Sequence, residues 1–190
     1  MAEIVLMRHG QTEWSANGRH TSYTDLDLTA VGEDQARAAG HRLGGREFAA
    51  VLSSPRRRAV RTAELAGLAV TEVTEDLAEW NYGAYEGITT REIRTTRPDW
   101  SLWTDGCPDG ESPEQVAARL DRVLDRAAEL LAEGDVALIA HGHSLRVCGA
   151  RWVNLPARDG MLLRLDTGTV SALGFEHEVD RVILHWNSPC

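Results

Sequence analysis

Val5-Leu6-Met7-Arg8-His9-Gly10 ends an apolar run on a cation, an imidazole and a glycine, and Val136-Ala137-Leu138-Ile139-Ala140-His141-Gly142-His143 breaks in the same way. Short apolar runs closed by glycine read as buried strands. Two of them ending on His-Gly point to two histidines at one edge of one sheet. In open α/β sheets ligands bind beyond the carboxyl ends of the strands, where a turn or a helix N-terminus begins. Arg8 beside His9 makes an anion the expected ligand, and phosphate handling by a histidine nucleophile the expected chemistry.

Outward from these two runs, strand and helix signals alternate. Strands are expected over residues 3–7, 49–52, 70–73 and 136–140, and again over 161–165, 170–175 and 182–186. Residues 8–28 read as a polar loop. Thr29 is a plausible N-cap for a helix with Glu33 and Asp34 in its first turn and Ala36, Ala39 and Leu43 on one face. Ser54-Pro55 reads as a cap followed by proline at the first helical position, opening a helix through residue 68. Ser112 and Gln115 have capping-box spacing, ahead of Val116, Leu120, Val123, Ala127 and Leu130 at helical period. A further helix is expected over 145–152. The alternation predicts an α/β fold with a mainly parallel sheet, in one domain spanning residues 1–190. Residues 81–112, rich in Gly, Thr, Pro and Trp, read as an irregular insertion of the kind that forms lids or binding loops.

Composition narrows the chemistry. The net charge of −9 argues against nucleic-acid binding, so an anion site has to be built locally from clustered arginines. All 20 basic residues are arginine, which excludes a phosphate-loop lysine, a kinase lysine and a lysine Schiff base. Cys107, Cys148 and Cys190 lack metal-ligand spacing, and Cys148 follows an apolar run as a small buried residue would. No apolar stretch is long enough to span a bilayer and no signal-peptide pattern opens the chain, so no membrane partner and a cytoplasmic setting are expected.

Three expected strand ends carry polar clusters: Arg8-His9-Gly10, Ser53-Ser54 with Arg56, Arg57 and Arg58 just after, and His141-Gly142-His143. Adjacent parallel strands lie about 4.8 Å apart, so three such ends can serve one small ligand. Arg8 and one or more of Arg56, Arg57 and Arg58 are suited to clamp a phosphate, while the rest of that arginine run, with Arg61, suits a solvated helix face. His141 and His143 also have the spacing of a zinc pair, but no third ligand is recognisable and arginines repel a dication. Gly142-His143-Ser144 hints at a serine-hydrolase elbow, yet Arg146 stands where its second glycine belongs.

Four ordered blocks resemble the histidine phosphatase superfamily, the phosphoglycerate-mutase-like enzymes, over almost the whole chain. They are Leu6-Met7-Arg8-His9-Gly10-Gln11-Thr12-Glu13-Trp14 continuing through Thr24-Asp25-Leu26-Asp27-Leu28-Thr29; Ser53-Ser54-Pro55 with Arg58-Ala59-Val60-Arg61-Thr62; Leu77-Ala78-Glu79-Trp80-Asn81-Tyr82-Gly83 with Tyr85-Glu86-Gly87; and Ala140-His141-Gly142-His143-Ser144-Leu145-Arg146. The resemblance implies a three-layer αβα sandwich and phosphorylation of His9, with Arg8, Arg58 and His141 holding the phosphoryl group. It implies Glu79 as general acid and base, with Trp80 and Tyr82 drying its surroundings. It implies His20, Thr21, Tyr82 and Arg146 as substrate contacts, and neither metal nor cofactor.

Departures from the family pattern bear on subgroup. Ser22 stands where the family has glycine, and Ser15 where mutases have asparagine. The insertion carries Trp100, Trp103 and Cys107 in place of the mutases' lysine and paired arginines. These features look most like sedoheptulose-bisphosphatase-type and broad acid phosphatase members. The expected activity is therefore hydrolysis of a small phosphorylated metabolite, a sugar phosphate. The alternatives are a cofactor-dependent phosphoglycerate mutase and a non-catalytic binding module on the same fold.

Overall fold

A computed structural model describes residues 2–189. Its centre is a six-stranded sheet in the order β3-β2-β4-β1-β5-β6. The strands are β1 (Ile4–Arg8), β2 (Ala50–Ser53), β3 (Glu72–Val73), β4 (Val136–Ala140), β5 (Val170–Glu176) and β6 (Asp180–Ser188). The pairs β1–β4, β4–β2 and β2–β3 are parallel, and β5 and β6 add antiparallel at one edge. The expected α/β class and mainly parallel sheet are observed.

Alternation along the strands assigns the two faces. Ile4, Leu6 and Leu138 face one core, shared with Val116 and Leu120 of α6 (Pro113–Leu130) and Leu145 and Trp152 of α7 (Gly142–Trp152). Val5, Met7 and Ile139 face the other, with Ala39 of α2 (Ala30–Leu43) and Ala59 and Ala63 of α3 (Arg57–Leu65). Both faces of β1 and β4 are covered, as parallel strands require.

Several local expectations need correction. The stretch 8–28 contains a helix, α1 (Glu13–Asn17), capped reciprocally by Thr12 and Ser15 and stopped by Gly18 at φ 77°. Ser54 is not the cap of α3: Arg56 occupies that position without a side-chain cap, because the Ser54 hydroxyl is engaged with His141. That helix ends at Leu65 rather than 68, and Gly67 turns the chain at φ 75°. The strand expected over 70–73 is reduced to Glu72–Val73, and the helix expected from 145 starts at Gly142. Residues 161–165 are not a strand. Ala157–Leu162 is a 3-10 turn whose Gly160 and Met161 carbonyls accept from Arg146, with Met161 and Leu162 exposed.

The insertion is mostly irregular but holds α4 (Thr90–Ile93), α5 (Leu102–Asp105) and a 3-10 turn at Gly83–Tyr85. Its Trp100, Trp103 and Cys107 are buried in the α6/α7 core. Cys148 is buried as expected; Cys190 lies outside the described residues. No helix among the described residues is long and apolar enough to cross a membrane.

One backbone contact seats the loop that follows β1. A Cβ on Gly32 would lie 2.1 Å from the Gln11 carbonyl oxygen, and one on Gly10 would lie 2.1 Å from that of Gly32. The first turn of α2 therefore packs directly on the chain leaving His9. Gly32→Ala should destabilise the fold by about 1–3 kcal/mol through overpacking, lowering Tm by several degrees. An unchanged melting curve would show that the two segments separate freely.

Candidate active site

His9 and His141 each follow the last residue of a parallel strand, and the His9 N–H donates to Ala140 O across that pair at 3.0 Å. Their rings meet edge to face, 5.1 Å between centroids. His9 Nδ1–H donates to the Gly10 carbonyl at 2.7 Å, which leaves Nε2 with its lone pair. Burial, then the charges of Arg58 and Arg8, hold the imidazole well below its ordinary pKa. A neutral ring with an open Nε2 is the form a nucleophile needs.

Arg8 lies across the N-terminus of α7: a Cβ at Gly142 would be 3.1 Å from its Cζ. One of its Nη groups donates to Leu165 O, while its buried Nε–H has no partner among the described residues. An unmatched buried donor is costly unless an anion meets it. The start of α7 adds partial positive charge at the same place.

Arg8, His9, His20, Thr21, Glu79, Tyr82 and Arg146 line one cavity of about 190 Å³. Its charged lining is three arginines (Arg8, Arg19, Arg146) against one acid, Glu79, a locally positive site in an acidic chain. Arg58 and His141 do not line it. They sit behind His9, where Arg58, 1% exposed, donates from Nε to His141 Nδ1 and from its Nη groups to the carbonyls of Thr21, Ser22 and Thr24. His141 Nε2–H in turn donates to Ser54 Oγ at 2.6 Å. Burial and Arg58 depress the His141 pKa well below the usual imidazole value. Of the neighbouring arginines, Arg57 and Arg61 are solvated as anticipated, Arg57 pairing with Asp25 and Asp27 and Arg61 with Glu33 and Glu64. Arg56 is not: its side chain is largely buried, pairs with Glu75 and keeps a buried Nε–H without a partner among the described residues.

Glu79 is not in the dry apolar setting that Trp80 and Tyr82 suggested. Its carboxylate accepts from the backbone N–H groups of Trp80, His143 and Ser144 at 2.9, 3.0 and 2.9 Å, so it docks on the first turn of α7. Both aromatic side chains are buried beside it, but neither removes these donors.

His143, weighed in the sequence only as half of a metal pair, is a cavity residue that reading the motif for metal alone missed. Its position in the first turn of the helix following β4 was the available signal. The Tyr82 hydroxyl, its pKa pushed well above the ordinary value by burial and by Glu79, is hydrogen-bonded to His143 Nδ1 at 2.6 Å. His141 and His143 therefore direct their Nδ1 atoms to different partners. Ser144, the serine of the apparent elbow, is occupied in capping His141. Thr12, Arg19 and Thr90 also line the cavity without having been singled out, as does Ser15, noted in the sequence only as a departure from the mutases. They reach it through α1 and the start of α4, two short helices that the sequence did not reveal.

Comparison with known proteins places the chain in a family. A Mycobacterium tuberculosis protein named acid phosphatase is 48% identical over 178 residues, 93% of this chain and 88% of its own. A Saccharomyces cerevisiae protein named sedoheptulose 1,7-bisphosphatase is 37% identical, over 80% of this chain and 67% of its own. The solved structure of a Mycobacterium tuberculosis open reading frame product superposes with a TM-score of 0.95 at 45% identity, covering 99% of this chain and 98% of that one. The sequence profile of the histidine phosphatase superfamily (branch 1) matches residues 4–189, and the chain belongs to that family.

Proposed function

We propose that the protein is a metal-independent phosphomonoesterase that hydrolyses small phosphorylated metabolites, sugar phosphates, through a phosphohistidine at His9. The observation that carries this is the neutral His9 Nε2 in the same cavity as the unpartnered buried Nε–H of Arg8. In the first step Nε2 bonds to phosphorus as the ester P–O bond breaks, and Glu79 delivers a proton to the departing oxygen. In the second, Glu79 takes a proton from water, whose oxygen bonds to phosphorus as the P–N bond breaks. Arg8, with the partial positive charge at the start of α7 beside it, meets the charge on the phosphoryl oxygens. Arg58 acts from behind: it keeps His9 and His141 unprotonated and orders the loop at 21–24.

The far wall of the cavity supports a hydroxyl-bearing leaving group. His20 Nδ1–H donates to Ile88 O at 2.8 Å, so its Nε2 is an acceptor, and His143 uses Nδ1 on the Tyr82 hydroxyl. The two rings stack 6.3 Å apart, and the His20 Nε2 lone pair suits a hydroxyl as donor. Burial first, and for His143 Arg146 second, lowers both pKa values, which keeps the rings uncharged.

A panel of sugar phosphates assayed for phosphate release with EDTA present should identify substrates. Brief incubation with labelled substrate and an alkaline quench should leave acid-labile label on His9, and His9→Ala should abolish both label and turnover. Label on serine, no label in a burst, or isomerisation of 3-phosphoglycerate outrunning phosphate release would overturn the proposal.

Arg58 separates from its neighbours. Losing its charge behind the nucleophile should reduce kcat about a hundredfold in Arg58→Ala, roughly 3 kcal/mol in barrier. Arg56→Ala and Arg57→Ala should stay near the parent, and equal mild losses at all three would remove Arg58 from the mechanism.

The depressed histidines also set two pH profiles. His9, His141 and His143 bind protons in the unfolded chain below about 6.5 but not in the folded one, so unfolding takes up protons in that range. Their contribution to stability is complete above pH 6.5 and falls as pH drops from there toward the folded-state values, by about 1.4 kcal/mol per pH unit for each histidine. Denaturant unfolding at pH 7.5 and 5.5 should show the loss. Over the same range kcat/KM should not decline with an ordinary imidazole pKa, because His9 stays neutral; an acid limb near 6.5 would contradict the His9 assignment.

A further inference from the structure

Glu79 lies in a stretch without regular secondary structure, between a 3-10 turn at Glu75–Leu77 and another at Gly83–Tyr85. Its neighbours' backbone groups therefore have no helix or sheet to satisfy them, and buried ones must find partners elsewhere. One side chain supplies most of these. Arg119, buried on α6, donates from Nη1 to the carbonyls of Asp76 and Ala78 at 2.8 and 2.7 Å, and from Nη2 to that of Glu79 itself at 3.2 Å.

The guanidinium is held in turn by Glu111, bidentately, with Nε to Oε1 at 2.7 Å and Nη2 to Oε2 at 3.0 Å. Glu111 also grips the other flank of Glu79. Its Oε2 accepts from the Asn81 N–H at 2.8 Å, its carbonyl accepts from Trp80 Nε1 at 2.9 Å, and its own N–H donates to Asn81 O at 2.9 Å. Residues 76–81 are thus tied on both sides of Glu79 to one ion pair, of a buried Arg119 and a part-buried Glu111.

We infer that the Glu111–Arg119 pair is a positioning device for Glu79, so that the segment at 81–112 reaches the chemistry through the backbone of its general acid. A buried arginine with a single carboxylate partner is an expensive way to join a loop to a helix, because two charges must be desolvated. It is suited to fixing a side chain whose proton transfer demands placement within a few tenths of an ångström. Neither Arg119 nor Glu111 lines the cavity, so the pair acts on catalysis only through Glu79.

This rests on Glu79 being the proton donor, and the test is built to separate the two. Phenyl phosphate needs its leaving oxygen protonated, while 4-nitrophenyl phosphate leaves with little help, and kcat/KM for each reports the phosphorylation step. Glu79→Gln should lose about a hundredfold or more on phenyl phosphate, in the range of general acid catalysis, and far less on 4-nitrophenyl phosphate. Arg119→Lys and Glu111→Gln should reproduce that selectivity at smaller size, about tenfold on phenyl and within about threefold on 4-nitrophenyl phosphate. Melting curves identify variants that fold, and if Arg119→Lys does not, Glu111→Gln decides alone.

A loss equal on both substrates, or none in folded variants, would reduce the pair to a structural tie and overturn the inference. If the pair variants lack the selectivity while Glu79→Gln shows it, only the positioning role falls. If Glu79→Gln itself lacks it, the assignment of Glu79 as the acid falls and the inference with it.

Discussion

The parallel pairing of β1 with β4, with Arg8 opposite Ala140, is the constraint on which the rest of the site depends. It delivers His9 and His141 from adjacent strand ends with their buried rings 5.1 Å apart. Once the two imidazoles share a buried edge, neither can carry charge cheaply, and the nearby guanidinium groups reinforce that. Neutral histidine beside buried arginine is thus a consequence of the strand order, in which β4 is threaded between β1 and β2.

Buried arginines do a second kind of work. Arg8, Arg58 and Arg119 each donate to carbonyls of irregular backbone, at Leu165, at 21–24 and at 76–79 respectively. The planar guanidinium holds five N–H donors in a fixed fork, against three on a lysine ammonium, and all 20 basic residues of this chain are arginine. The loops that make the cavity are in this sense cross-braced by the same residue type that attracts the ligand. Of these three, Arg8 alone keeps a buried N–H without a protein partner among the described residues.

Much of the fold was legible because the relevant signals are local. The apolar runs at 4–7 and 136–140, the threonine cap at 29 and the serine capping box at 112 all correspond to observed elements. The misreadings share a cause. Ser54-Pro55 has the look of a helix start, but a long-range bond to His141 claims the serine, and 161–165 has apolar spacing that Arg146 draws into a 3-10 turn. Tertiary partners overrode local preference in both. The five-residue helix at 13–17 escaped notice because it buries no residue and so shows no apolar stripe.

By itself the sequence determined the α/β class, the two His-Gly strand ends, the locally cationic anion site and, through its four blocks, the residues placed around His9. These are carried by residue type and by short spacing, which survive without coordinates. Only the tertiary structure decided that Arg58 and His141 form a buried hydrogen-bonded pair beside His9, that Glu79 docks on the first turn of α7, and that His143 lines the cavity with Tyr82. Those outcomes turn on which donor finds which acceptor across 61 to 83 residues of intervening chain, as between Tyr82 and His143 or Arg58 and His141. A directional contact at that separation is set by how strands and helices stack in space, and no local pattern encodes it.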